Sequence, residues 1–356
     1  MGAKSDLAMS RVKPRIAIVL FNLGGPDGPK AVRPFLENLF SDPAIIGAPW
    51  LIRRPLAALI ARLRERSAIA NYALMGGGSP IVPETESQAN ALQTALAIRL
   101  GEAEVETFIA MRYWKPTSEE TAKRVAAFRP DHVVLAPLYP QYSTTTSGSS
   151  LEAWRKAYKG SGETHTICCW YDNPGLIDAH VSRIRRAWDD AGRPRVRLLF
   201  SAHGLPEQIA QSGDPYQWQI EATCAAIAAQ LGADWDWQVC YQSRVGPLKW
   251  IGPSTPEAIE NAGKDDVGVL IDPVAFVSEH IETLVELDID YAELAAECGV
   301  PVYLRAPVVG VDPAFIDGLA EAVSRALGRK GRCPDGGPCP SSLARCGRKV
   351  GSETGA

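Results

Sequence analysis

Runs of apolar, largely β-branched residues alternate with helical stretches along nearly the whole chain. Four such runs come first: RIAIVLFNL (15–23), VETFIAMRYW (105–114), HVVLAPLY (132–139) and HTICCWY (165–171). Four more follow: RVRLLFSAH (195–203), WQVCYQS (237–243), VGVLIDPV (267–274) and PVYLRAP (301–307). Continuous apolar strands separated by helices belong to parallel sheets covered on both faces. The runs form two groups of about four, joined by a helical pattern near 176–190. This predicts an α/β chain of two similar doubly wound, Rossmann-like domains, at 15–175 and 176–328, followed by a cysteine-containing extension at 329–356. Each group opens on a strand closing in a polar Gly-Pro turn, NLGGP and SAHGLP, a hint of internal duplication. The last helical pattern, 314–327, is free to pack on either half, the first included.

In such folds ligands bind at the carboxyl ends of the strands. Unusual residues gather there: Asn22 and Leu23 before Gly24-Gly25-Pro26, Arg112-Tyr113-Trp114, Tyr139 before Pro140-Gln141-Tyr142, His203, and Gln242-Ser243. They converge on one cleft between the halves. GGP at 24–26 resembles a phosphate loop only superficially, because neither G-x-G-x-x-G nor a Lys-Ser/Thr pair accompanies it.

After the seventh strand the chain turns acidic, with His280 between Glu279 and Glu282 and with Glu286 and Asp290 at intervals of four. On a regular helix Glu282, Glu286 and Asp290 share one face and repel unless water, cations or protons offset the charge. A solvated face is the bland reading. Against it, the segment leaves a buried strand at the cleft, and crowded carboxylates can hold a cation or pass protons. One extra residue inserted as a π-bulge would aim several of them inward. His203 ends another strand at the same cleft, and imidazole suits either proton acceptance or metal ligation near neutral pH.

Composition narrows the alternatives. Lys+Arg 37 against Asp+Glu 41 gives net charge -4, which argues against a nucleic-acid binder. No run is long enough to cross a membrane, and the N-terminal residues lack a signal peptide's apolar core, so the expected compartment is the cytoplasm. There the eight cysteines are not read as disulfides. Three of them, Cys333, Cys339 and Cys346, crowd a Gly/Pro-rich tail whose loops let thiolates converge on one metal centre. A four-thiolate centre needs a fourth ligand, for which Cys168 and Cys169 are the candidates; spacing alone leaves zinc and an iron–sulfur cluster both open. Cys224, Cys240 and Cys298 read as core. APWLIRRPLAALIARLRER (48–66) sets Ile52, Leu56, Leu59, Ile60 and Leu63 in a stripe among arginines. It reads as a surface helix packed on the core or as an apolar lip touching lipid, with Pro55 restricting or bending it.

Taken in order, FNLGGP, RYW.P, LYPQYS…GSS, SAHGLP, YQSRVGPLKWIGP and PVAFVSEHIETLVELDIDY resemble the ferrochelatases, from about residue 15 to 328. The resemblance implies insertion of ferrous iron into protoporphyrin IX, with release of two protons, in a cleft near Asn22, Leu23 and Trp250. It implies that Arg112 and Tyr113 also meet the porphyrin, that His203 and Glu282 face each other across the macrocycle, and that His203 takes protons. Glu282, His280 and Glu286 then form a metal or proton route, and Tyr139 and Trp170 mark a way in for iron. Animal members hold a 2Fe–2S cluster whose fourth ligand lies where this chain has Thr144. The fourth ligand is therefore expected at Cys169, with Cys168 as the alternative, and a 2Fe–2S cluster is favoured over zinc by likeness to some microbial members.

Three rival readings stand beside this one. A cobalt or nickel chelatase would not need the whole motif set. A coproporphyrin-using ferrochelatase would want more cationic contacts. A non-enzymatic haem or iron carrier has no use for a graded row of carboxylates. Monomer and homodimer are both compatible with the sequence, as is peripheral membrane contact through the lip.

Overall fold

The computed structural model describes residues 13–244, 248–329 and 339–347. Among these, eight strands form two four-stranded parallel sheets. The first contains β1 (Arg15–Asn22), β2 (Glu104–Met111), β3 (His132–Pro137) and β4 (Glu163–Thr166) in the order β2-β1-β3-β4. The second contains β5 (Val196–His203), β6 (Trp237–Gln242), β7 (Gly268–Asp272) and β8 (Tyr303–Arg305) in the order β6-β5-β7-β8. Each sheet thus reverses its winding beside its own first strand, the place where open α/β sheets bind ligands.

The helices of the first part are α1 (Pro29–Phe40), α2 (Trp50–Ala73), α3 (Ile81–Leu100), α4 (Ser118–Phe128), α5 (Ser149–Ala157) and α6 (Pro174–Asp190). Those of the second are α7 (Glu207–Gln211), α8 (Tyr216–Leu231), α9 (Thr255–Lys264), α10 (Ile281–Leu284), α11 (Tyr291–Glu297) and α12 (Pro313–Leu327). Two five-residue π turns, Thr144–Gly148 and Glu286–Asp290, precede α5 and α11.

The likeness of the halves extends beyond strand order. After β2, the Met111 N–H donates to the Pro116 carbonyl at 2.7 Å; after β6, the Tyr241 N–H donates to that of Pro253 at 2.9 Å. The next residue in each case, Thr117 or Ser254, caps a helix. Its hydroxyl accepts the N–H of Glu120 or Glu257, whose carboxylate reaches back to the capping residue's own N–H. Two reciprocal capping boxes at equivalent points satisfy otherwise orphaned donors.

α12 packs on the first sheet. Phe315, Leu319 and Val323 join Ile16, Ile18, Leu20 and Trp170 in one core. Polar side chains stitch the halves together: Gln88 Nε2 donates to the Val277 and Gly310 carbonyls at 2.7 and 3.0 Å, and Gln219 Oε1 accepts the Tyr142 N–H at 2.7 Å.

α2 runs through Pro55 as one helix, so the expected restriction ends nothing. It turns Ala57 and Ala61 inward and leaves Trp50, Leu51, Ile52, Leu59 and Leu63 exposed, Leu51 at 76% and Leu63 at 73%. The helix does pack on the α1 cluster, but through Ala61 and Tyr72, while most of the apolar stripe faces outward.

Candidate active site

His203 and Asn22 occupy the same place in the two halves, each the last residue of an eight-residue first strand. In register, Asn22 lies beside Met111 and His203 beside Gln242. Parallel pairing delivers both to the carboxyl edge.

The His203 ring is oriented by its neighbour: Nδ1 lies 2.6 Å from the Gly204 carbonyl oxygen, an acceptor only. Nδ1 therefore carries the hydrogen in the neutral ring and Nε2 presents a lone pair. That Nε2 is 3.8 Å from Glu282 Oε1. Gly204 itself admits no side chain, because a Cβ there would stand 3.0 Å from the Gln242 carbonyl oxygen and 3.1 Å from the Trp250 ring. Trp250, half-buried and bridged to Pro206, sets its ring against Gly204, the residue after His203.

His280, which follows β7 in the same half, repeats the arrangement, so His203, His280 and Glu282 share one wall instead of facing each other across a macrocycle as the resemblance implied. The His280 Nδ1 faces the Ser278 carbonyl oxygen at 3.1 Å and its Nε2 lies 3.6 Å from Glu282 Oε2. One carboxylate thus stands between two imidazoles, one oxygen toward each. Desolvation works against its ionisation, yet the neighbouring imidazoles, His203 by charge and His280 by hydrogen bond and charge, outweigh it and hold the pKa at about 2. Glu282 is a carboxylate at any physiological pH. The hydroxyls of Tyr72 and Tyr216 also feel this charge; burial first, then Glu282 among the nearby charges, pushes both phenols up.

Glu286 is tied down by four donors: Gln242 Nε2 at 3.0 Å, the Ser243 N–H at 2.9 Å, Ser243 Oγ at 2.5 Å and Tyr291 Oη at 2.7 Å. Ser243 reaches it with both backbone and hydroxyl from a left-handed conformation, φ +60°, which a non-glycine residue adopts only at a cost. Gln242 and Ser243 are recognisable in the sequence as a strand's end, but their service to Glu286 is not. The π turn expected as an inserted residue is present and begins at Glu286. It also corrects the expected row. With the turn widened, Asp290 is exposed while Glu282 and Glu286 remain partly enclosed, so two carboxylates rather than three line this path. Glu279 and Asp288 are both engaged by Arg305, the former at 2.8 Å.

On the first half, Asn22 is buried, its Nδ2 donating to Thr85 Oγ1 at 3.0 Å and its Oδ1 accepting the Leu23 N–H at 2.8 Å. Leu23 packs with Trp114 and Ile281 against the α1–α2 cluster, joining the two walls. Arg112 and Tyr113 converge on buried Asp42, which sequence reading had not singled out: Arg112 Nη2 lies 2.6 Å and Tyr113 Oη 2.8 Å from its Oδ2. The Tyr113 phenol, 3% exposed, is committed there, and burial with the nearby Asp42 pushes its pKa up. Tyr139 is half-buried, its hydroxyl shut off from solvent near Ser150 and Arg112. Trp170 requires correction as a mark on iron's way in. It is 1% exposed, stacks on Phe315 at 5.5 Å and donates its indole N–H to the Pro137 carbonyl at 2.8 Å, which makes it part of the core beneath α12.

The cysteines gather elsewhere. Cys168 and Cys169 sulfurs are 3.6 Å apart beyond β4. Gln219 Nε2 lies 3.4 Å from Cys169 Sγ and 3.3 Å from Cys339 Sγ, so one amide spans the first half's pair and the tail. Cys346 hydrogen-bonds Cys339, and this neighbour together with burial pushes the Cys339 thiol up. The tail is anchored by the Arg345 N–H on the Gly213 carbonyl at 3.0 Å. Cys333 lies outside the described residues. Sulfurs gathered in this way are the donor set a thiolate metal centre requires. Cys224 and Cys240 are fully buried core residues, with burial raising the Cys240 thiol to about 12.

Comparison with known proteins converges on one family. The ferrochelatase family model matches residues 15–327. The chain is 64% identical to a ferrochelatase of Caulobacter vibrioides over 88% of its length and 91% of the relative's. It is 58% identical to one from Phenylobacterium zucineum, covering 95% and 99%, and 54% identical to one from Hyphomonas neptunium, covering 93% and 94%. Among solved structures, a multi-domain protein of Deinococcus radiodurans described as structurally similar to chelatases aligns with TM-score 0.52 at 13% identity, over 94% of this chain and 59% of its own, a likeness of fold.

Proposed function

The chain belongs to the ferrochelatase family, and from that premise we propose that it inserts ferrous iron into protoporphyrin IX in the cleft bordered by Asn22 and Leu23 on the first half and by His203 and Glu282 on the second. It is a metal chelatase of haem biosynthesis with porphyrin and ferrous iron as substrates. The observation that carries the residue assignment is the ring orientation at His203, whose Nε2 lone pair lies 3.8 Å from the Glu282 carboxylate.

Each insertion takes up Fe²⁺, releases two pyrrole protons and leaves the porphyrin core neutral. His203 Nε2 accepts the two protons in turn, releasing the first to solvent before the second, and the imidazolium formed each time is stabilised by Glu282 at 3.8 Å. A carboxylate with a pKa of about 2 is a weak proton acceptor but a ready ligand for a hard or borderline cation. Glu282 therefore suits iron delivery and charge compensation, with His280 Nε2 on its other oxygen and Glu286 one turn on as the next stop for ions. Asn22, Leu23 and Trp250 shape the porphyrin's bed. Arg112 and Tyr113, held by Asp42, buttress its rim, and Tyr139 stands behind them. The non-enzymatic carrier leaves this two-imidazole carboxylate without a purpose.

The division into a first domain at 15–175 and a second at 176–328 is supported by the separate sheets, with α12 returning to the first. Cys169, Cys339 and Cys346, with Cys333 from the tail and Cys168 as alternative, would hold a 2Fe–2S cluster. Such a cluster supplies one-electron chemistry, which insertion does not use, so its service here is to fasten the tail to the first half. No described helix is long and apolar enough to cross a membrane. We place the protein in the cytoplasm, with the exposed α2 stripe and its arginines seated on anionic lipid.

Anaerobic incubation with ferrous iron and either protoporphyrin or coproporphyrin, followed as loss of porphyrin fluorescence, tests the substrate. Turnover of protoporphyrin at the higher kcat/KM is expected. Preference for coproporphyrin would replace the substrate, and binding of both without turnover would replace the enzyme by the carrier.

A further inference from the structure

At the opposite end of the first sheet, away from every residue used above, three metal-ligating side chains meet. His132 opens β3, and Glu163 and His165 lie on β4. Parallel register sets His132 beside Glu163 and Val134 beside His165, so alternation places both β4 side chains on the same face of that strand. His132 Nδ1 and His165 Nε2 face each other at 3.2 Å, and Glu163 Oε2 is 3.8 Å from the same Nδ1. One ligand atom from each residue falls within 4.8 Å of the others.

The distances suit a bound cation. Two nitrogens bound to tetrahedral zinc at its usual bond length stand roughly 3.3 Å apart, close to the spacing present here. A proton shared between the rings would also accept 3.2 Å and would draw the Glu163 carboxylate too, so it is the addition of a metal that separates the two occupants. Two imidazoles and one carboxylate form a mixed nitrogen and oxygen set that favours zinc and its first-row neighbours over calcium or magnesium, which prefer oxygen alone. The site is also accessible: His165 is buried at 7%, whereas the His132 and Glu163 side chains are 34% and 59% exposed, leaving a fourth position for water. β4 is a four-residue edge strand held by one neighbour, so a cation ligated from both strands would fasten the sheet's border.

We propose that His132, Glu163 and His165 form a three-ligand site for a divalent cation of the zinc class, separate from the metallation cleft, that ties the edge strand β4 to β3. The test uses the full-length protein without porphyrin, kept reduced, with Zn²⁺ or Co²⁺ as the probe. Bound zinc is counted by equilibrium dialysis for wild type, Glu163→Gln and His132→Gln, both at exposed positions chosen so that folding survives. Wild type is expected to hold one more equivalent than either variant and to gain a zinc-dependent rise in unfolding temperature that both lose. The Co²⁺ spectrum should lose a nitrogen/oxygen component while thiolate charge-transfer bands from the cysteines persist. Iron insertion should stay within about twofold of wild type in both variants. Equal zinc stoichiometry and equal thermal shifts in all three proteins would overturn the proposal.

Discussion

Replacing Glu282 by Gln keeps the side chain's shape and removes its charge. In the wild type the carboxylate lies 3.8 Å from one imidazole and 3.6 Å from the other. A charged pair near 4 Å interacts by about 4 kcal/mol at the effective dielectric of partly enclosed protein sites. The displacement of the Glu282 pKa from 4.5 to about 2 corresponds to about 3 kcal/mol, the part surviving desolvation. His203 and His280 share that displacement, so about 3 kcal/mol sets the scale of what an imidazolium at His203 loses when the charge is removed. If the imidazolium forms in the rate-limiting step, 3 kcal/mol lowers kcat by about a hundredfold. Loss of a ligand for incoming iron adds to this, whereas porphyrin binding, which rests on apolar packing, should change little.

The assay is anaerobic metallation followed by porphyrin fluorescence, with porphyrin affinity measured separately by quenching. A Glu282→Gln enzyme retaining kcat within about threefold would refute the reasoning. The linkage to stability has a definite sign. A carboxyl whose folded pKa is depressed stabilises above its unfolded value, and the contribution disappears as pH falls through the folded one. The wild type's advantage over the variant should therefore shrink as pH falls from 4.5 to about 2. Denaturant midpoints across that range would show the two proteins converging; a gap that instead opens in acid would contradict the assignment.

Other consequences follow from local geometry. Tyr291→Phe removes one of four donors to Glu286 and should cost about 1.5–3 kcal/mol, seen as a thermal midpoint lowered by several degrees; an unchanged midpoint would mean that water replaces the phenol. Gly175→Ala places a Cβ 2.1 Å from the Ala314 carbonyl oxygen where α6 crosses α12, and such overpacking should destabilise by roughly 1–3 kcal/mol; tolerance without loss would argue against α12 packing on the first half. Leu51→Asp with Leu63→Asp should abolish sedimentation with anionic vesicles while leaving the circular dichroism spectrum unchanged, and persistent sedimentation would remove the α2 stripe as the lipid contact.

Much of the fold is legible in the sequence because buried parallel strands announce themselves by continuous apolar runs. Seven of the eight runs correspond to strands with trimmed ends, whereas HTICCWY shares only His165 and Thr166 with β4, its remaining residues lying beyond the strand. His203 stands out as the polar residue that closes such a run, and Glu282 as part of the acidic segment that follows another. What stays hidden depends on contacts distant in sequence. Asp42 lies in an unremarkable loop, yet it anchors Arg112 and Tyr113 from 70 and 71 residues away. Trp170 sits at a strand's end like the true cleft residues, and only the return of α12 over the first sheet encloses it. The α2 stripe has the spacing of a core-facing helix; its outward orientation follows because Ala57 and Ala61 permit the closer approach.

Duplication explains why the site is asymmetric in chemistry though nearly symmetric in position. Asn22 and His203 end equivalent strands. The first half holds Asn22 with Thr85 and the Leu23 N–H, leaving its amide no proton to exchange. In the second half, a backbone carbonyl fixes the imidazole's hydrogen on Nδ1 and leaves Nε2 open. One half therefore supplies a static floor for a flat apolar ligand and the other a group that changes its charge. The widened turn at Glu286 serves the same division, because it brings the carboxylate onto Gln242 and Ser243, the residues that end and follow the strand paired with His203. Protons and iron then have an ionic path on one wall alone, and the porphyrin's other face can remain dry.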